Sequence, residues 1–168
     1  STSAHHGLRE PEELLSCIAY KSRDNARTPM QWSDDENAGF TTGTPWIMVN
    51  PNYKEINVKA ELGDPHSVFH YYRELIRLRR NSRWTNIIVY GTYELLLPED
   101  ESVFAYLRVF EDQTLLILCN LSGDISSFRL PGSCAKDRAE VLICSTEEAP
   151  ELSEVMELTP WQAVVYEI

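Results

Sequence analysis

The stretch Phe104-Ala-Tyr-Leu-Arg-Val-Phe110 decides the fold predicted for the second half of this chain. Phe104 and Tyr106, with Arg108 after them, stand at every second position and would share one face of a strand. A second apolar stretch, Thr114–Asn120, follows after a short polar turn. Alternation interrupted by turn formers is typical of antiparallel sheets.

The same pattern extends outward from this pair in both directions. It predicts strands at Ile87–Tyr90, Tyr93–Leu97, Val103–Phe110, Thr114–Asn120, Ser126–Leu130, Arg138–Cys144, Val155–Leu158 and Ala163–Ile168. Turn-forming residues separate them, among them Pro98–Asp100, Ser122–Asp124 and Pro131–Gly132. Short strands at this spacing predict an antiparallel β-sandwich over residues 84–168.

A helix is predicted directly before the strands, over Pro65–Arg80. Asp64 is a favourable N-cap, and proline is favoured at the first helical position. Apolar residues then recur on one face of the helix. These are Val68, Tyr71, Tyr72, Leu75 and Leu78.

The chain before this helix is mostly irregular. A short helix is predicted over Pro11–Tyr20, and the long stretch Ser22–Leu62 is rich in Asn, Asp, Thr, Gly and Pro. Loops of this length are uncommon in compact domains and are usually functional or disordered. Trp32, Phe40 and Trp46 favour an ordered loop that these rings anchor to a scaffold, although stacking on a sugar stays open.

The charge and the cysteines limit the classes of partner. A net charge of −11 would repel nucleic acid and anionic membranes, so neither is expected as a partner. Four cysteines without C-x-x-C spacing, of which Cys119 and Cys144 lie in apolar runs, predict neither a disulfide nor a zinc site. The histidines, scattered or near the start, do not suggest a metal site either. We therefore expect no cofactor, and a reducing, cytoplasmic location.

Several motifs together resemble one group of enzymes. The most specific is Lys21-Ser-Arg-Asp-Asn-Ala-Arg-Thr-Pro-Met-Gln-Trp32. It is followed in order by Asn37-Ala-Gly-Phe-Thr41, Val49-Asn-Pro-Asn-Tyr53, Ser67-Val-Phe-His-Tyr-Tyr72 and Leu158-Thr-Pro-Trp161. From about Lys21 onward the chain closely resembles the oligo-1,6-glucosidase group of the α-amylase superfamily. That group includes dextran glucosidases, α-1,4-glucosidases and trehalose-6-phosphate hydrolases.

The resemblance implies an α+β arrangement in which the last part of a (β/α)8 barrel precedes the sandwich. Residues 1–83 would be this barrel remnant, the long loop and the last helix, and residues 84–168 the C-terminal sandwich domain. A complete barrel needs on the order of 250 residues, so most of it would lie outside this chain. The implied parent is an exo-acting α-glucosidase. It would hydrolyse α-1,6 or α-1,4 glucosidic bonds of short oligosaccharides with retention.

Arg23 is the candidate substrate-binding residue, and Arg27 is a second candidate expected to be mainly structural. In the resembled group the first arginine of this motif hydrogen-bonds hydroxyls of the terminal glucose, which suits the five donors of a guanidinium. The alternative is a salt-bridged knot of Arg23, Asp24 and Arg27 that only shapes the loop. No catalytic residue is expected here, because the motifs around the two required carboxylates are not found in this sequence. The acidic run Asp34–Glu36 is interpreted as a solvated turn.

The expected partner is an oligosaccharide, bound only through the rest of the barrel. The helix stripe and the loop aromatics would otherwise stay open, which predicts self-association. Two other interpretations remain: a free-standing carbohydrate-binding β-sandwich, and the non-catalytic ectodomain of an amino-acid transporter heavy chain. Affinity of the sandwich alone for glucans would favour the first of these. The close match of the loop to bacterial-type glucosidases argues against the second.

Overall fold

The computed structural model describes residues 15, 18, 21, 23–135 and 138–168. The chain divides into two compact units, Ser1–Asp64 and Pro65–Ile168. The short helix predicted over Pro11–Tyr20 lies outside the described residues except for Leu15 and Ile18, which are helical. The domain boundary expected between residues 83 and 84 falls inside the second compact unit and stays a prediction.

The first unit is irregular, with 3₁₀ turns at Arg23–Ala26, Glu36–Gly39 and Pro51–Lys54. Residues 15, 18 and 21 are helical, and the end of the unit forms an α-helix, α1, at Val58–Gly63. The Asn57 side chain caps α1 by accepting a hydrogen bond from the Ala60 N–H at 2.9 Å. The prediction that the irregular stretch runs to Leu62 is therefore wrong at its end. The capped helix begins at Val58, four residues before Leu62.

The second unit begins with α2, Val68–Arg80, which confirms the predicted helix but not its start. The N-cap is Ser67 rather than Asp64, and its Oγ accepts from the His70 N–H at 3.4 Å. Ser67 is buried while Asp64 is exposed, so the buried hydroxyl satisfies the free N–H group. At the other end the Asn81 N–H donates to the Arg77 carbonyl at 2.8 Å.

Only part of the predicted apolar stripe of α2 is covered within this unit. Leu78 is buried, and Tyr71 and Leu75 are half-buried. Val68 and Tyr72 remain 65% and 61% exposed. The stripe thus has one covered edge and one open edge.

The strand predicted at Ile87–Tyr90 is wrong: Thr85–Tyr90 forms a short helix, α3. The run of β-branched residues favours a strand by local preference, and tertiary burial overrides it. Ile87 is fully buried against Leu115 and Ile117, and the Gly91 N–H donates to the Ile87 carbonyl at 3.0 Å. A helix supplies its own backbone bonds while directing that side chain into the core.

The other predicted strands are confirmed, two with the predicted ends and five with ends shifted by one or two residues. They are β1 Thr92–Leu96, β2 Val103–Phe110, β3 Gln113–Asn120, β4 Ser126–Arg129, β5 Glu140–Cys144, β6 Val155–Leu158 and β7 Ala163–Glu167. One five-stranded sheet has the order β1-β2-β3-β7-β5, and β4 pairs with β6 in a second sheet. Every pair is antiparallel. This is the antiparallel sandwich that the sequence predicts.

The five-stranded sheet is covered on both faces, which explains the continuous apolar run of β3. Leu116 and Leu118 face the core between the two sheets. Leu115 and Ile117 face the other way, onto α3. Buried members of the main core are contributed by both sheets: Leu96, Val103, Ala105, Leu116, Leu118, Phe128, Met156, Leu158, Val164 and Tyr166.

The predicted common face of β2 is also confirmed. The rings of Phe104 and Tyr106 lie 5.1 Å apart between centroids, and Tyr106 is directly opposite Ile117. Arg108 is directly opposite Leu115, so it lies on the face that α3 covers. Burial raises the pKa of the Tyr106 hydroxyl, as expected for a phenol removed from water.

Cys119 and Cys144 form no disulfide with another described residue. Cys134 is buried, and Cys119 and Cys144 are half-buried. Burial raises the pKa of the Cys119 thiol, which favours its neutral form. Cys17 lies outside the described residues.

Candidate functional site

The main-chain carbonyl of Ala38 holds the loop of the first unit together. The N–H groups of Trp32 and Ser33 donate to it at 2.9 and 3.1 Å. The Ala38 N–H in turn donates to the Asp35 carbonyl at 2.9 Å, and Ala38 is fully buried. These contacts order a stretch with little regular secondary structure, as its aromatic content indicates.

The turn at this point depends on a left-handed backbone. Asn37, Ala38 and Gly39 have φ values of 52°, 58° and 65°. The Asn37 side-chain Nδ2 donates to the carbonyls of Thr41 and Gly43 at 3.3 and 3.1 Å. Asparagine and glycine tolerate this conformation better than other residues, which places this motif at a turn that few sequences can form.

Gly39→Ala is expected to loosen the loop by about 1–2 kcal/mol, because a Cβ there is strained at positive φ. The added Cβ would also lie 2.7 Å from Ser33 Oγ, which is closer than van der Waals contact allows. Hydrogen exchange of the Trp32 and Ser33 amides should then accelerate roughly tenfold. Gly43→Ala is the matched control, since its nearest contact would be Thr41 Oγ1 at 3.7 Å. Equal protection in both variants would contradict the role of this turn.

The loop also satisfies the free N–H groups at the start of α1. The Val58 N–H donates to the Gln31 carbonyl at 2.9 Å, and the Lys59 N–H donates to the Trp32 carbonyl at 3.0 Å. The Gln31 side-chain Nε2 donates to the Ile56 carbonyl. The first helical turn is thus bonded to the centre of the sequence motif, which makes helix and loop one structural element.

The acidic run Asp34–Glu36 is exposed, in keeping with a solvated turn. The Lys59 Nζ donates to Asp34 Oδ1 at 2.9 Å, and this hydrogen bond lowers the pKa of Asp34. The Ser33 hydroxyl donates to Asp35 Oδ2 at 2.7 Å. Two of these carboxylates therefore hold the turn and α1, which is a structural role.

The two candidate sugar-binding arginines differ in their partners. Arg27 Nη1 lies 3.9 Å from Asp24 Oδ1, and the Arg27 N–H donates to the Asp24 carbonyl at 3.0 Å. Arg23 is exposed at the start of the same 3₁₀ turn, and no ion pair joins it to another described residue. The predicted knot thus contains Asp24 and Arg27 but leaves the Arg23 guanidinium outside the ion pair. Both substrate-binding assignments stay predictions.

Arg27 also lines a shallow pocket of about 260 Å³ with aromatic and apolar walls. The other lining residues are Thr28, Pro29, Met30, Phe40, Pro45, Trp46 and Ile47. Trp46 is 100% exposed, so within this unit it anchors nothing. Sequence reasoning singled out the two aromatic rings but missed Met30, Pro45 and Ile47. These residues line one pocket because the loop folds back and brings residues 27–30 next to residues 45–47.

One pair of carboxylates in the second unit lies close together. Glu140 Oε2 and Glu167 Oε2 both accept from Arg83 Nη2, at 2.8 and 2.6 Å. The Arg83 guanidinium also lies over the ring of Trp84, at 4.5 Å. Because both carboxylates share one cation at an exposed sheet edge, they tie the chain before α3 to β5 and β7.

No group of three His, Cys, Asp or Glu side chains is placed to hold a metal ion in the part of the chain that the structure describes. Within the same residues, no helix is long and apolar enough to cross a membrane. The chemistry available here is that of guanidinium donors, aromatic faces and structural carboxylates.

Comparison with known protein families agrees with these features. The model of the α-amylase catalytic domain matches residues 3–91, and that of the maltogenic amylase C-terminal domain matches residues 93–165. The oligo-1,6-glucosidase of Parageobacillus thermoglucosidasius is 53% identical over 161 residues, which are 95% of this chain and 28% of that protein. This chain thus spans less than a third of the length of the curated relatives it matches.

Solved structures give the same result. The trehalose-6-phosphate hydrolase of Bacillus licheniformis superposes with a TM-score of 0.87 at 42% identity, over 95% of this chain and 29% of that one. The isomaltulose synthase of Klebsiella sp. superposes with a TM-score of 0.84 at 40% identity, over 94% of this chain and 28% of that one. The chain belongs to the α-amylase family: it combines a segment of the catalytic domain with a C-terminal sandwich, in the manner of the oligo-1,6-glucosidases.

Proposed function

We propose that this chain is the C-terminal part of an exo-acting α-glucosidase that hydrolyses α-1,6 or α-1,4 bonds of short oligosaccharides with retention. The observation that carries the proposal is the difference in contacts between the two arginines of the Lys21–Trp32 motif. Its first arginine is exposed, while its second is engaged by Asp24. The high identity to an oligo-1,6-glucosidase supports the same assignment.

Arg23 would contact the terminal glucose, and Arg27 would hold the loop in shape for it. A guanidinium presents several N–H donors in one plane, which suits neighbouring hydroxyls of a sugar ring. The ion pair of Arg27 with Asp24 and the Ala38 turn would keep this segment in place. Positioning residues of this kind reduce the entropy lost when a substrate is ordered.

The chain by itself is expected to be inactive. Retaining glycosidases require two carboxyl groups about 5–5.5 Å apart in separate roles, and the acidic pairs described above are committed to cations or turn contacts. Hydrolysis of p-nitrophenyl α-glucoside and of isomaltose should be measured for this chain beside a longer protein that contains it. Turnover by the longer protein alone is expected. Turnover by this chain alone would show that carboxylates assigned here to structure are catalytic.

The partner of the whole enzyme would be a neutral oligosaccharide, bound through barrel parts outside this chain. The net charge of −11 argues against nucleic acid and anionic membranes as partners, and the pattern of cysteines supports a cytoplasmic location. The reaction and the linkage depend on regions beyond the matched segment. Relatives of similar structure include both a hydrolase and an isomaltulose synthase.

Self-association of the isolated chain is also expected, through the open edge of α2. Val68, Tyr72 and Ile76 are all more than half exposed there. Apolar surface of this kind favours contact with another copy. Sedimentation velocity at rising concentration should show a dimer or larger species. The double variant Tyr72→Ser/Ile76→Ser should shift the distribution toward monomer. If the unmodified 168-residue chain is a clean monomer at high concentration, the expectation is contradicted.

A further inference from the structure

The second unit contains a cavity of about 410 Å³ on the outer face of the five-stranded sheet. It lies under α2 and α3, and all of its lining residues belong to the second unit. Its apolar walls come from Leu75, Leu78, Ile88, Leu115, Ile117, Leu142, Ile143 and Val165. A volume of a few hundred Å³ with apolar walls and few polar groups is typical of small-molecule sites.

Three polar side chains line the same cavity: Arg79, Tyr106 and Arg108. Arg108 Nη2 donates to the Ile88 carbonyl at 3.1 Å, while its Nε is buried and has no hydrogen-bond partner. Arg79 is exposed at the rim. Tyr106 is half-buried, and removal from water raises the pKa of its hydroxyl. The cavity therefore places a positive charge among apolar side chains.

The state of Arg108 differs from that of other arginines in this unit. Arg77 pairs with Glu74, Arg83 with Glu140 and Glu167, and Arg129 with Glu154. These pairs are on the surface, where a partner adds little to stability.

Arg108 is the one that would gain most from an anion, because a guanidinium partly removed from water is costly without one. Among the described residues, no carboxylate forms an ion pair with Arg108 or with Arg79, so this positive charge has no anionic partner.

We infer that this cavity binds a small carboxylate with an apolar body, such as a short alkyl chain or a single aromatic ring. The carboxylate would accept hydrogen bonds from the Arg108 guanidinium, and Arg79 would add positive charge at the entrance. The apolar body would fill the space between Leu75, Leu142 and Val165. A sugar suits this cavity poorly, since its hydroxyls would find few partners, so this site is independent of the proposed glucosidase function.

Octanoate is the probe, titrated into the 168-residue chain by isothermal titration calorimetry. Saturable binding at one site per chain is expected. Octanamide, which keeps the shape without the charge, should bind at least about tenfold more weakly. Arg108→Met should lower the affinity for octanoate to a similar degree, whereas Arg108→Lys should retain part of that affinity. Arg80→Met is the matched control on α2, outside the cavity lining, and should leave the affinity unchanged.

A cavity-filling variant keeps the test decisive if Arg108→Met does not fold, which circular dichroism would show. Leu142→Phe retains the arginine and occupies the space for the alkyl chain, so it should reduce octanoate binding. Three results would overturn the inference: no saturable binding, equal binding of octanoate and octanamide, or unchanged affinity in Leu142→Phe. Glucosidase activity plays no part in any of these readouts.

Discussion

Replacing Arg23 by alanine is expected to lower kcat/KM for an α-glucoside by about a hundredfold in a longer enzyme that contains this chain. Hydrogen bonds that involve a charged group are worth about 1.5–3 kcal/mol each, and two of them at the low end of this range, about 3 kcal/mol together, correspond to a loss of this size. Arg23 is exposed and makes no ion pair with the described residues, so the change should disturb the loop little. The effect should appear in catalysis while the melting temperature stays nearly constant.

Arg27→Ala and Arg129→Ala are the controls for this experiment. The first removes an ion pair of 3.9 Å between exposed side chains and keeps the backbone hydrogen bond from residue 27 to Asp24, so it should lower loop order and activity only slightly. The second removes an exposed ion pair with Glu154 on the sandwich and should change neither. Unchanged kcat/KM in Arg23→Ala would remove the sugar contact and leave the structural interpretation of the motif.

Asn120→Ala is expected to destabilise the sandwich by about 3–4 kcal/mol, since it leaves several buried polar groups without partners. Asn120 is 1% exposed, and its Nδ2 donates to the carbonyls of Asp124, Leu158 and Thr159 at 2.7, 3.2 and 2.9 Å. Its Oδ1 accepts from the Ser122 N–H at 2.9 Å. One side chain thus joins the end of β3 to the segments after β3 and β6. Urea unfolding followed by circular dichroism gives the measurement.

Ser127→Ala is the matched control for Asn120. Its hydroxyl is exposed on β4 and donates to Glu157 at 3.4 Å, so the loss should stay within about 0.5 kcal/mol. A loss below about 1 kcal/mol in Asn120→Ala would mean that water satisfies the carbonyls and that this network does not hold the sandwich together.

Sequence pattern and tertiary structure agree where local chemistry decides. Alternation placed Phe104, Tyr106 and Arg108 on one face, and the structure has them there. Helical periodicity located α2, although the cap moved from Asp64 to Ser67. Two residue types compete for an N-cap in this segment, and burial of the Ser67 hydroxyl selects between them.

The helix α3 shows where local preference fails. Residues Ile87–Val89 are β-branched and lie before a strand-rich region, so the pattern favours a strand. Contact of Ile87 with Leu115 and Ile117, far along the chain, supplies the energy that makes the helix preferable. Such long-range packing cannot be read from a local window.

For the candidate site, sequence reasoning found Arg23, Arg27 and the aromatic residues. It preferred Arg23 as the sugar contact through the family resemblance, because the sequence does not show how the contacts of the two arginines differ. The difference arises from a single contact, the pairing of Asp24 with Arg27 rather than with Arg23. The bridge from Arg83 to Glu140 and Glu167 and the cavity beside Arg108 were both missed. Each joins segments separated by many residues, and no spacing rule connects them.

The sequence by itself determined the class of structure and the family, because these depend on periodicity, turn formers and motifs that are local and ordered along the chain. Only the tertiary structure decided which polar side chains are satisfied and which are left without a partner. Asn120 and Arg108 are alike in the sequence, as polar residues beside apolar runs, and Arg83 lies in a polar stretch. They differ in burial and in what the fold brings near them: carbonyls around Asn120, carboxylates beside Arg83, and an apolar cavity next to Arg108.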